Sequence, residues 1–168
     1  MKKIIITGPE SSGKTTLASD LASYYNIDFV KEYARAYLKD IEKNYSFEDV
    51  VNIGEGQNQH EKEASQKAED LLICDTDLLT IKIWLEYKYG RIDEWIESQV
   101  NNYRDRIYLL CLPEMEWEAD ELRENPDDRE EIFEIYKENL EFYNLEYHIL
   151  EGSQAYRKKE AISIIEST

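Results

Sequence analysis

Lys3-Ile4-Ile5-Ile6-Thr7 runs straight into Gly8-Pro9-Glu10-Ser11-Ser12-Gly13-Lys14-Thr15, and the reading of this junction decides the fold. The first five residues form a short, continuous β-branched run, the pattern of a strand covered on both faces in a parallel sheet. The next eight satisfy G-x-x-x-x-G-K-[ST] in full. Beyond them Leu17, Leu21 and Tyr24 recur at helical spacing, which predicts a helix over Lys14–Tyr25. Strand, glycine-bounded loop and helix in that order make an anion cradle. Gly8 and Gly13 let the backbone turn tightly. Successive N–H groups and the positive end of the helix then converge on phosphate. In this frame Gly8, Ser11, Ser12, Gly13, Lys14, Thr15 and Thr16 hold the phosphates of a nucleotide. Lys14 brings a cation to the β- and γ-phosphates, and the Thr15 hydroxyl is suited to ligate Mg²⁺.

The rest of the chain alternates strand and helix. A second short strand is predicted at Asp28–Lys31, and a helix from Glu32 to about Asp40. Ser46 with Asp49 three residues on is a capping box, which opens a long helix to about Glu69. Leu71–Asp75 reads as a third strand and Leu78–Tyr89 as a helix stopped by Gly90. Ile92, Trp95, Ile96, Val100 and Tyr103 mark a further helix. Ile107–Leu112 is a fourth strand ended by Pro113, Asp127–Tyr143 a helix, and Glu146–Leu150 a fifth strand. A final helix runs from about Gln154 to Glu166. The pattern predicts one domain over residues 1–168, a three-layer α/β P-loop NTPase domain. Its sheet is mainly parallel and five-stranded, in the order 2-3-1-4-5 of small P-loop kinases. Ligands of such sheets bind at the carboxyl ends of the strands.

The loops after those strand ends hold the candidate site residues. Asp75 ends an apolar strand and is placed to hold Mg²⁺ with Thr15, or else to begin a turn. Asp77 faces the same cleft or caps the next helix. Glu32 follows the second strand, one strand further from the phosphates than Asp75, where an acceptor hydroxyl would sit. It is either a proton acceptor or an ordinary glutamate in a helix's first turn. Arg35, three residues on, pairs with it or contacts the transferred group. The polar stretch of about 117–129 is a lid candidate carrying Arg123 and Arg129, either of which touches phosphate or balances nearby acids. Gly54, Gly56 and Gln57 lie inside a predicted helix, where each glycine costs about 1 kcal/mol against alanine. Close approach of a ligand or of another helix would explain them, and Gln57 could bond an amide or a ribose. Trp84, Tyr87 and Tyr89 are core residues or a stacking wall.

Composition narrows the partners. The 168 residues carry 20 basic and 37 acidic side chains, a net charge of −17, and are 42% hydrophobic. A globular chain of this sign suits neither nucleic acid nor an anionic membrane surface. A nucleotide's charge must then be met by a few placed cations and a metal. Cys74 and Cys111 sit in apolar runs and read as buried, reduced thiols of a cytoplasmic protein. The apolar run at Ile4–Ile6 is too short for a signal peptide or a membrane helix. Sequence leaves the oligomeric state open.

These residues together resemble the ribosylnicotinamide kinase domains of the bacterial NadR family, in order and over nearly the whole chain. The resemblance rests on Gly8–Thr15, Glu32-Tyr33-Ala34-Arg35, Gly56-Gln57, Asp75-Thr76-Asp77, Trp84 with Tyr89-Gly90, and Trp117 with Asp120 and Arg123. It implies ATP with Mg²⁺, a nucleoside-like small-molecule acceptor, and phosphorylation of nicotinamide riboside in NAD salvage. Lys14 and Thr15 would serve phosphate and metal, Asp75 or Asp77 metal or ribose, and Glu32 and Arg35 the acceptor side. The family's regulators also carry a DNA-binding domain and a nucleotidyl site of His-x-x-His type. Only His60 and His148 occur here, so neither of those activities is expected. The family's Asp-Gly-x-Arg reads Asp120-Glu121-Leu122-Arg123, without the glycine.

Overall fold

The structure is a computed structural model that describes residues 1–39, 41, 44–118 and 123–168. Strands β1 (Lys2–Thr7), β2 (Phe29–Val30), β3 (Leu71–Asp75), β4 (Arg106–Cys111) and β5 (Glu146–Leu150) form one sheet in the order β2-β3-β1-β4-β5. All four pairings are parallel, which is the order and orientation that the sequence predicts. The helices are α1 (Lys14–Tyr25), α2 (Tyr33–Leu38), α3 (Phe47–Ser65), α4 (Leu78–Tyr89), α5 (Glu94–Asn101), α6 (Arg129–Phe142) and α7 (Gln154–Ser167).

The continuous apolar run of β1 follows from a sheet with a core on each face. Ile5 joins Cys74, Tyr108 and Leu110 in the larger core, which α2 to α6 cover. Ile4 and Ile6 join Ile73, Leu109 and Cys111 in the smaller one, under α1 and α7. Side chains alternate faces along a strand, yet each face here is equally dry, so no polar position interrupts Ile4-Ile5-Ile6. Both cysteines are buried and free.

Helix ends follow local chemistry. The Ser46–Asp49 capping box closes in both directions at the start of α3. Gly90 adopts φ 65° and ends α4. The helical glycines are explained by neighbouring protein rather than by a ligand. A Cβ on Gly56 would lie 2.2 Å from the Tyr33 ring, and one on Gly54 would press Ile96, Ile81 and Leu78 at 3.1–3.3 Å. These two positions let α3 lie close against α2, α4 and α5. α3 ends at Ser65, short of Glu69, because Gln66 and Lys67 turn the chain back toward β3. Asp40, the expected end of α2, lies outside the described residues.

Candidate active site

The carboxyl ends of β1, β2 and β3 open into a cleft of about 430 Å³, floored by the phosphate loop and roofed by the segment before α6. Gly8 has φ 137°, and a Cβ there would lie 2.7 Å from the Cys111 carbonyl, so β4 admits no side chain beside it. Gly13 has φ 82° and precedes the first residue of α1. Ser12 Oγ donates to the Pro9 carbonyl at 2.7 Å, and Lys14 Nζ to the same oxygen at 2.6 Å. Lys14 thus lies folded over its own loop, with Thr15 and Thr16 also lining the cleft.

Asp75 and Asp77 part company at Thr76, whose φ is 69°. A β-branched residue in that left-handed region is strained, and such strain is tolerated where surrounding structure fixes it. Thr76 N–H donates to the Ile6 carbonyl at 3.0 Å, and the Thr76 carbonyl accepts from Gln57 Nε2 at 3.5 Å. Asp75 Oδ2 accepts from Thr15 Oγ1 at 2.6 Å, while its buried Oδ1 has no partner among the described residues. A carboxylate oxygen left over beside a threonine hydroxyl suits a hard divalent cation such as Mg²⁺. Burial pushes the Asp75 carboxyl above its ordinary range, only partly offset by Thr15, Lys14 and Arg35. Of its two sequence readings, Asp77 takes the helix cap and not the substrate contact. It is fully buried away from the cleft, caps α4 through Leu79 N–H at 3.0 Å, and accepts from Arg106 at 2.9 Å and Tyr108 at 2.7 Å. Arg106 also bonds Glu61 at 3.1 Å, so Asp77 belongs to a buried ion cluster.

Glu32 lines the cleft at the start of α2, where its side chain makes no capping bond. Glu32 thus stands at a helix start, as one sequence reading has it, while its side chain faces the cleft, as the other requires. Burial raises its carboxyl above the ordinary 4.5, the Asp75 charge raises it further, and Lys14 and Arg35 pull it down. Arg35 lines the same wall. Gln57 does not reach the cleft. It is 2% exposed, and its Oε1 accepts from Tyr33 N–H at 2.8 Å. Gln57 therefore fixes the first peptide of α2, and with it the position of Glu32, where sequence suggested a ligand contact. Trp84 and Tyr87 line the cleft, whereas Tyr89 stacks edge-on with Phe47, both partly buried against the larger core.

The two lid arginines differ. Arg123 faces the cleft and donates to Ser11 Oγ at 3.3 Å and to the Glu118 carbonyl. Arg129 donates to the carbonyls of Ser11 at 3.2 Å and Met115 at 2.8 Å. It thereby ties the phosphate loop to the segment before α6. Asp120, Glu121 and Leu122 lie outside the described residues. Sequence reading gives no site role to Glu10 or Tyr45, and takes Glu124 only as an acid near the lid arginines. Glu10 accepts N–H bonds from Glu124 and Asn125, both at 3.1 Å. The Tyr45 hydroxyl donates to Glu124 at 2.7 Å and accepts from Trp84 Nε1 at 3.1 Å and Lys88 at 2.6 Å. Only an acidic residue inside the phosphate loop hinted at this network.

A family model described as an AAA domain matches residues 3–157. The trifunctional NAD biosynthesis/regulator protein NadR of Escherichia coli (strain K12) is 30% identical over 155 residues, covering 88% of this chain and 37% of that protein. The chain spans about two fifths of the length of the curated relatives it matches. Among solved structures, a NadR protein in complex with NR superposes with a TM-score of 0.83 at 20% identity, over 99% of this chain and 50% of that one. A deoxyadenosine kinase from M. mycoides with bound dCTP gives 0.67 at 17% identity, over 99% and 100%. The fold is that of P-loop, nucleoside-kinase-like phosphotransferases.

Proposed function

This chain belongs to the AAA domain family, and from that premise we propose that it is a kinase moving the γ-phosphoryl group of ATP to the ribose 5′-hydroxyl of nicotinamide riboside, giving nicotinamide mononucleotide. One observation carries the reading: a single cleft joins a complete phosphate loop, Thr15 backed by the buried Asp75 carboxylate, and the desolvated carboxyl of Glu32 one strand further out. The likeness to NadR, one copy of which was solved with NR, supports the acceptor. So does charge. Nicotinamide riboside carries a cationic pyridinium, and Glu10, Glu116, Glu118 and Glu124 line this cleft.

The acceptor hydroxyl adds to the γ-phosphorus as the bond to the β,γ-bridging oxygen breaks. ADP leaves, and the hydroxyl proton passes to Glu32. Lys14 and the loop N–H groups hold the phosphates, and Arg123 meets charge on the transferring group. Thr15 and Asp75 would hold Mg²⁺, which would supply neutralisation of the charge on the phosphates. Gln57 and the start of α2 hold Glu32 in place.

A second reading is a kinase for another nucleoside, which the deoxyadenosine kinase likeness favours. ADP release with Mg-ATP, with and without nicotinamide riboside and beside a nucleoside panel, tests both. Release that depends on nicotinamide riboside is expected. Release with another nucleoside alone keeps the kinase and discards the acceptor. Equal release with no acceptor would make the protein an ATPase, and sink both readings.

A further inference from the structure

The phosphate loop is also held by α7, an element remote in sequence, through buried Arg157 and through Gln154, which lines the cleft. Arg157 is 0% exposed, and its guanidinium is committed to strand-end loops. Nη1 donates to the Ser12 carbonyl at 2.8 Å, Nη2 to the Leu112 carbonyl at 2.8 Å, and Nε to the Gly152 carbonyl at 3.0 Å. Glu114 Oε2 takes a further bond from Nη2 at 3.1 Å and one from Gly152 N–H at 2.6 Å. Beside it Gln154 Nε2 donates to the Gly13 carbonyl at 3.1 Å. A Cβ on Gly13 would lie 2.1 Å from that nitrogen, so the amide sits directly on the loop.

Peptide planarity converts these contacts into N–H geometry. In a trans peptide the C=O and the following N–H point in opposite directions. Holding the Ser12 carbonyl from α7 aims Gly13 N–H the opposite way, whereas the Gly13 carbonyl is shared between Gln154 and Leu17 N–H of α1, so that Gln154 reinforces an orientation of Lys14 N–H that the helix start already sets. Those N–H groups belong to the anion cradle. A fully buried guanidinium is an expensive way to join loops that apolar side chains would join as well. Its cost is understandable if the cradle must stand ready before the nucleotide arrives.

We propose that Arg157, assisted by Gln154, is a positioning residue that presets the phosphate loop for triphosphate binding. The proposal rests on the nucleotide half of the reading above and is independent of the acceptor. The test is titration calorimetry of the full chain with Mg-ATP and with Mg-tripolyphosphate, beside a thermal melt. Arg157→Lys keeps the charge and loses the fork. It is expected to weaken both ligands about tenfold or more, consistent with losing one charged hydrogen bond or more. Equal loss for the two ligands places the effect at the phosphates rather than the base. A folded Arg157→Lys protein with wild-type Kd values, even with a lowered Tm, would reduce Arg157 to a structural tie and overturn the proposal. If that variant does not fold, the double variant Gln154→Leu with Glu114→Gln decides, both positions being partly exposed. A loss of about threefold or more is expected, and an unchanged Kd overturns the proposal. Wild-type protein that binds neither ligand would overturn the nucleotide reading itself, and this proposal with it. Binding of ATP without turnover of any acceptor would fault only the proposed reaction.

Discussion

At the residue scale, the cleft is built from carboxylates that burial makes uncomfortable. Glu32 and Asp75 both lie above their ordinary range because burial disfavours their charge, and Asp75's charge raises Glu32 further. The sign of the pH effect follows. A base must be deprotonated, so kcat/KM should fall as pH drops through the raised carboxyl value, earlier than a free glutamate would titrate. Glu32→Gln should lower kcat by about 10²–10⁴-fold and erase that acid limb. An unchanged kcat would remove Glu32 from the mechanism. Stability runs the other way. A carboxyl whose folded pKa is raised contributes stability that is fully present below the unfolded value and lost as pH rises through the folded one. At pH 7 the ligand-free Glu32→Gln protein should therefore melt higher than wild type, and the gap should close near pH 4. Asp77 belongs to a different economy. Its charge answers Arg106 at 2.9 Å with both side chains buried. Asp77→Asn should destabilise by less than the roughly 3–5 kcal/mol of an uncompensated buried charge, because the guanidinium loses one of two buried counter-charges and keeps Glu61. It should leave the acceptor KM of the folded fraction unchanged, whereas a raised KM at wild-type Tm would return Asp77 to the cleft. The cap at Asp77 was one of the readings open in sequence, but the left-handed turn at Thr76 that parts it from Asp75 was not legible there.

At the element scale, the roof before α6 is tied to both halves of the cleft through one residue. The Glu124 N–H is held by Glu10 of the phosphate loop, and its carboxylate by Tyr45 and Lys88 on the wall that carries Trp84. Nucleotide and acceptor ends thus share a tie. Glu124→Gln weakens charge-assisted bonds at partly exposed side chains, which are worth about 1 kcal/mol. The acceptor KM should rise about three- to tenfold, with a smaller change in kcat. Tyr45→Phe should do the same, and the double variant should add little, because both break one network. Independent, additive effects would dissolve the tie. Which elements form was legible in sequence, because strand and helix here differ in apolar period and the phosphate loop fixes the first unit. The capping box and Gly90 even marked helix ends. The tie was not legible, because Tyr45, Lys88 and Glu124 are ordinary surface residue types until the fold brings three elements together. Arg157 was hidden for the same reason, since a basic residue near the end of a chain reads as solvated. Gln57 was singled out correctly as unusual, but its partner is a backbone N–H rather than a ligand.

At the scale of the whole molecule, a net charge of −17 surrounds a site built for an anion. The two act at different ranges. The cations at the cradle, Lys14, Arg123 and Arg157, act over a few ångströms, where salt screens weakly in a partly dry cleft. The excess of carboxylates acts over the whole surface and is cut off beyond a Debye length of about 30 Å at 0.01 M or about 8 Å at 0.15 M salt. An approaching Mg-ATP complex, still anionic, meets the long-range repulsion first. Its association rate should therefore rise with ionic strength, the reverse of ordinary electrostatic steering. A cationic acceptor such as nicotinamide riboside should show the opposite trend, because the same field draws it in. Stopped-flow binding of Mg-ATP from about 20 to 300 mM NaCl, followed by acceptor kcat/KM over the same range, reads both slopes. A Mg-ATP on-rate that falls with salt would mean that the cradle's cations dominate the field at the cleft mouth. The surface acidity would then have no part in how the ligands arrive. Opposite slopes for the two ligands would show that the surface charge sorts them by sign before any side chain of the cleft touches either.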